Sequence, residues 1–283
     1  MIKKVALLFL LIIAMPIIIS EIYGHTFTTD ESVLFLTLVD KLKTHAKLTE
    51  QFVLGNNHES AIQHSNLLKQ IYTKEINDEI EEKNERIANE ISTFINIFSS
   101  LSSNNMTQSQ INNTIQDFEA VLDESISVRI SEDVLNNSTI QALRIATLVN
   151  DIDINYADSF STQPYNMSTM GMDQHDEQSM NMSTMGMDQH RQNSSAKESK
   201  DIQNYTAYQT AQELLVPVSQ LFEEIRSEKE ISNQDKVTQL KEGIDNLTTI
   251  IEMKKPYNEV AKVIHGIIQP TLQELYNLKI DIE

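Results

Sequence analysis

The stretch that decides the fold is TTDESVLFLTLVDKLKTHAKLTEQFVLGNNHESAIQHSNLLKQIY, residues 28–72. Its first half places Phe35, Leu38, Val39, Leu42, Ala46 and Phe52 on one stripe, the three- and four-residue spacing of an amphipathic helix. Thr28 with Glu31 three residues on is a capping-box pattern at the start. Gly55 is the stop signal, and Asn56 with Glu59 restarts a helix almost at once. The spacing predicts a tight αα-hairpin.

The same periodicity continues in both directions from this hairpin. A long second helix is expected over 57–101, broken near 72–74, with Ile62, Leu68, Tyr72, Ile76, Ile80, Ile87, Ile91, Phe94, Phe98 and Leu101 inward. A polar turn at 102–105 precedes a third helix after Thr107, carrying Ile111, Ile115, Phe118 and Leu122. Asn136, Asn137 and Ser138 punctuate, and a fourth helix runs to about Phe160 through Ile140, Leu143, Leu148 and Ile152. Helix resumes near Asp201 with Tyr205, Tyr208, Leu215, Val218, Phe222 and Ile225, and Pro217 should kink it. Another starts at Ser232 with Val237, Leu240, Ile244, Leu247 and Ile251. The last follows Pro256 with Val260, Val263, Ile264, Ile267, Leu272, Leu275 and Leu278, and Pro270 should kink it. No strand pattern competes. The expectation is an all-α bundle of about seven helices.

Between the fourth and fifth helices, residues 161–200 hold almost no aliphatic side chains. Such a composition cannot bury enough apolar surface to offset its ordering entropy, so a long disordered loop is expected. Within it NMSTMGMDQH is written twice without change, at 166–175 and 181–190. Seven of the eleven methionines lie here: Met167, Met170, Met172, Met180, Met182, Met185 and Met187. His175 and His190 close the two copies. Thioether sulfur is a soft, uncharged ligand suited to Cu(I), and the histidines extend the set toward Cu(II). Each copy offers one candidate copper site, with Gly171 or Gly186 letting the backbone fold between sulfurs. The competing readings are a linker duplicated by replication slippage and a set of oxidant-scavenging thioethers.

The N-terminus has Lys3 and Lys4, an apolar run from Val5 to Ile19 and small Gly24 at its exit, the layout of a secretory signal peptide over 1–24. The run is shorter than the roughly 20 residues that span a bilayer. Membrane contact is expected only if this segment is retained. The body then divides into a helical part at 25–160, the Met/His loop at 161–200, and C-terminal helices at 201–283 packing on the same bundle. A net charge of −19 repels phosphate backbones and argues against a nucleic-acid partner. No cysteine is present, which excludes disulfides and thiolate metal sites. Nine Asn-x-Ser/Thr sequons, at Asn105, Asn112, Asn136, Asn137, Asn166, Asn181, Asn193, Asn204 and Asn246, exceed what composition alone would give and suit an exported glycoprotein.

Cleavage after Gly24 would make His25 the mature N-terminus, able to offer its α-amine and one ring nitrogen to copper. His45, His58 or His64 would supply a third nitrogen. His58 and His64, six apart, are not a metal pair of one helix face. His45 lies across the hairpin from them, and solvated or capping roles are expected for all three. His265 is expected in the core or at an interface. No Glu-x-x-His pair, nucleophile elbow or Gly-rich phosphate loop is present, so a non-catalytic role is expected.

The segments MSTMGMDQH at 167–175 and 182–190 resemble Met/His-rich stretches of extracytoplasmic copper-handling proteins, such as copper-resistance oxidases and high-affinity copper transporters. A His25 brace would be similar to that of periplasmic copper chaperones and copper monooxygenases. HTFTTDESVLFLTLVD at 25–40 and VIHGIIQPTLQELYNL at 263–278 resemble exported helical proteins of ammonia-oxidising archaea. Helical ectodomains of the imelysin and iron-permease type give a related metal-uptake likeness, without their ligand motifs. Together these resemblances imply a cell-surface protein that handles copper, whose partners are the metal ion and an envelope copper protein. The alternative is a structural or interaction module of the envelope.

Overall fold

The computed structural model describes residues 29–101, 106–161, 201–230 and 233–278. Among them every regular element is helical, as the periodicity predicts. In chain order they are α1 (Thr29–Leu54), α2 (His58–Ile71), α3 (Lys74–Lys83), α4 (Glu85–Leu101), α5 (Gln108–Arg129), the single turn α6 (Glu132–Leu135) and α7 (Ser138–Asp158). After residue 200 come α8 (Tyr205–Glu230), α9 (Gln234–Glu252), α10 (Tyr257–Val263), a π-turn (Ile264–Ile268) and α11 (Gln269–Tyr276).

The hairpin forms as expected, one residue out of step with its signals. Asn56, not Gly55, holds the left-handed backbone (φ 58°). The Asn57 N–H donates to the Phe52 carbonyl and the Asn56 N–H to that of Val53, which absorbs two carbonyls that the end of α1 leaves over. Asn57, not Asn56, caps α2, its side chain accepting from the Ser60 N–H. Lys254 and Asn277 end α9 and α11 in the same backbone state.

The predicted second helix is three. Thr73 caps α3 at the expected break. A second, unforeseen break falls at Asn84, which takes extended backbone and accepts from the Ile87 N–H, the alternative that short polar side chains offer against helix continuation. Two residues assigned to buried stripes face out: Ile62 is 47% exposed and Tyr205 54%. At Pro270 the helix carries a π-turn. Proline cannot donate to the carbonyl four residues back, and the turn before it widens so that the Gln269 N–H reaches Ile264.

The apolar interior has two parts. One is built from α1 to α5 with Ile130 and Ile140, centred on Phe98 and Phe118, whose rings meet edge to face at 5.1 Å. The other is built from α7 to α11 around Tyr156, Phe222 and Leu272. Partly buried Leu143 touches both. Helix α1 lies against α7 and α8, so it carries one core and borders the other. Buried on this helix are also polar side chains: Thr37, Asp40, Thr44, His45 and Thr49 among them. Arg144 of α7 grips Asp40 with two parallel bonds of 2.6 and 2.5 Å. Lys41 stands 3.3 Å from the Asp151 carboxylate, an ion pair without a directed hydrogen bond.

The expected Met/His loop at 161–200 and the Thr28 cap lie outside the described residues, but the points where the chain leaves and re-enters the bundle do not. The Ser159 carbonyl accepts from both Gln203 N–H (2.8 Å) and Asn204 N–H (2.9 Å), and the Asn204 side chain caps α8 at Ala207. Exit and return are thus tied at one carbonyl.

Two glycines test the packing around the π-turn. A methyl group on Gly243 would meet Ile267 and Ile268 at 3.0 and 3.1 Å, whereas one on Gly266 meets nothing within 4 Å. Gly243→Leu should therefore lower stability by about 1–3 kcal/mol through overpacking. Gly266→Ala should raise it by about 0.5–1 kcal/mol through helix propensity. Urea unfolding of the two variants beside the parent checks both signs.

Candidate functional site

The hairpin brings together two histidines that stand almost equally far from its turn. His45 of α1 and His64 of α2 are both buried, 1% and 0% exposed, and their Nδ1 atoms are 3.2 Å apart. The ring centroids are 5.4 Å apart, which exceeds the Nδ1 separation by about two ring radii. The two nitrogens therefore lie on the line between the rings, which meet edge to edge through an N–H···N bond. They are not stacked face to face. The Phe52 ring lies nearly parallel to that of His64, 9° between planes, with the centroids offset at 5.6 Å.

Helix α8 closes the site. Gln209 Oε1 faces His64 Nε2 at 3.1 Å, and Thr206 donates to Gln63 alongside. Because an amide oxygen accepts only, His64 carries its proton on Nε2. His64 Nδ1 is then the acceptor, and His45 Nδ1–H the donor. Burial pushes both rings toward the neutral form. His45 is held well below the ordinary imidazole range by burial, then by His64 and Lys41. His64 is lowered to about 4 by burial, against a smaller opposing effect of Gln209.

The solvated or capping role expected of these histidines holds only for His58, which is exposed at the start of α2. The signal available in the sequence was their near-equal distance from the Gly55–Asn56 turn, which places them opposite each other in any tight antiparallel hairpin. The anticipated ligands Met167, Met170, Met172, His175, Met180, Met182, Met185, Met187, His190 and His25 all lie outside the described residues.

His265 occupies the π-turn, facing Asp153 Oδ2 at 3.3 Å through Nε2 and Gln269 Oε1 at 2.8 Å through Nδ1. Tyr257 donates to the same carboxylate oxygen at 3.2 Å, and Asp153 Oδ1 is buried without a hydrogen-bond partner. Burial first, and then Asp153, raises the Tyr257 phenol above its ordinary range. This cluster ties α7 to the C-terminal helices. An open groove of about 350 Å³ between α8 and α9 is lined by Gln212, Val216, Thr248 and Glu252, among others, and holds no histidine. Among the described residues no group of three or more His, Cys, Asp or Glu side chains is placed to hold a metal ion.

The buried pair couples stability to acid. An unfolded His64 binds its proton near pH 6.5 and the folded one only near 4, so between these values the unfolded chain binds more protons. The contribution is complete above pH 6.5 and declines as pH falls toward 4, by roughly 3 kcal/mol in all. Denaturant unfolding at pH 7.5 and 4.5 should show the parent losing more stability than a His45→Gln/His64→Gln variant. An imidazole NMR titration should place the His64 midpoint at about 4, and a midpoint near 6.5 excludes the buried pair.

No protein-family model, curated protein or solved structure matches this chain.

Proposed function

We propose that this chain is an extracytoplasmic copper-binding protein that captures, stores or delivers copper through its Met/His repeats. The observation that carries the proposal is the verbatim duplication of NMSTMGMDQH, which sets six thioethers and two imidazoles at matching positions. These are the donor types that select Cu(I) and extend to Cu(II). The fold is compatible with an accessory segment of this kind, because its two ends meet the bundle at the Ser159 carbonyl. The role proposed is binding.

Export to the cell surface, as in the archaeal proteins the two termini resemble, accords with the N-terminal Lys3-to-Gly24 pattern and with the sequons. Asn136, Asn137 and Asn246 are exposed and open to glycans. No described helix is long and apolar enough to cross a membrane.

Cu(I) titration of the full chain against a chromophoric chelator, beside a variant with the six repeat methionines and Met180 changed to Leu and His175 and His190 to Gln, tests the proposal. The parent should hold about two more ions, one per repeat copy. Equal stoichiometry and affinity would sink it and leave the envelope interaction module in its place. Intact mass of the exported chain should correspond to a start at His25, and any other start removes the N-terminal copper brace.

A further inference from the structure

We infer that His45 and His64 form a second, internal site, a two-coordinate seat for a monovalent soft ion, Cu(I) or its surrogate Ag(I). The choice of ion rests on the copper function proposed above. The site itself rests on the geometry of the pair.

Two ring nitrogens already point at each other across 3.2 Å, on the line joining their rings. A linear ion with metal–nitrogen bonds of about 2 Å needs them about 4 Å apart, so the rings must part by less than the width of one atom. Imidazole binds metal only when neutral, and burial holds both rings in that form, so protons do not compete at neutral pH.

The surroundings select charge and coordination number. No third His, Cys, Asp or Glu completes a cluster among the described residues, which disfavours four-coordinate Zn²⁺. The nearby carboxylates are engaged elsewhere: Asp40 by Arg144, Asp151 by Lys41 and Glu50 by Lys47 at 2.7 Å. A divalent ion would bring two uncompensated charges into the core, a monovalent ion one. Low coordination by neutral donors is what Cu(I) accepts.

Binding needs no net loss of protons. His64 offers its Nδ1 lone pair as it stands and keeps its Nε2–H on Gln209. His45 must release the proton on Nδ1 and take one on Nε2, a change of tautomer that leaves the ring neutral. His64 is therefore the pre-set ligand and His45 the one that adjusts.

The seat is also near a surface. Gln209, which covers His64, is only partly buried, and Gln63 beside it is exposed. Gln209 lies five residues along α8 from Asn204, a rise of about 7.5 Å from the point where the repeat-bearing segment is tied.

The test uses the full chain with the repeats silenced, by the methionine-to-Leu and histidine-to-Gln changes named above, and Ag(I) as a redox-inert probe. The silenced chain should retain one Ag(I), with the Nδ1 resonances of His45 and His64 shifting together in ¹⁵N NMR. His64→Gln in that background should weaken retention by about 100-fold or more. A silenced chain that retains no Ag(I), or that binds it with both resonances unmoved, overturns the inference. These resonances are read on a chain with both histidines intact, so the test decides even if His64→Gln fails to fold. If parent and silenced chains each bind a single ion at these resonances, capture by the repeats is refuted and the internal seat is supported.

Discussion

The two halves of the interior meet across a polar seam, and the fork of Arg144 on Asp40 is its fixed point. Burial raises the Asp40 carboxyl above its ordinary value despite the guanidinium beside it, so desolvation outweighs attraction even for this bidentate pair. A buried pair of that kind adds little net stability but is costly to break, on the order of 3–5 kcal/mol if one partner is removed. Its effect is to set register. Sliding α1 by one residue against α7 would strand both charges in the interior. His45 sits about one turn beyond Lys41 on the same helix, so the fork and the Lys41–Asp151 pair also fix where His45 meets α2 and α8. The histidine pair is as well placed as the seam that holds it.

Most of the fold was legible because its signals are local. Apolar spacing located each long helix, and the cap at Thr107 and the turn at Asn137 appear where short polar side chains satisfy free backbone N–H groups. The misses are places where the local signal was ambiguous or overridden. Asn84 is a residue a long helix tolerates, and only its own cap bond reveals a break. The side chains of Ile62 and Tyr205 fit a helical stripe yet face out. At Pro270 the sequence marks a missing N–H, and the structure meets it with a wider turn in which the Gln269 N–H reaches Ile264.

The candidate site was legible in parts of unequal kind. The repeats are read as candidate soft ligands from composition alone, and they lie outside the described residues. The histidine pair announces nothing by composition, since two histidines nineteen residues apart become neighbours only once the turn is placed. Even then the hairpin could have left them facing water. Gln209, from a helix more than a hundred residues later, makes them a buried, directed pair, and such a contact has no local trace in the sequence.

The double acceptance at the Ser159 carbonyl has a consequence for how this protein can change over evolutionary time. A segment whose departure and return share one anchor is a side branch, and its length is invisible to the cores on either side. Closing a loop twice as long costs only about 0.6 kcal/mol. Replication slippage in units of fifteen residues could thus alter the number of repeat copies while the seam, the caps and the histidine pair stay as they are. Copy number becomes a quantity that mutation can dial up or down, separately from stability.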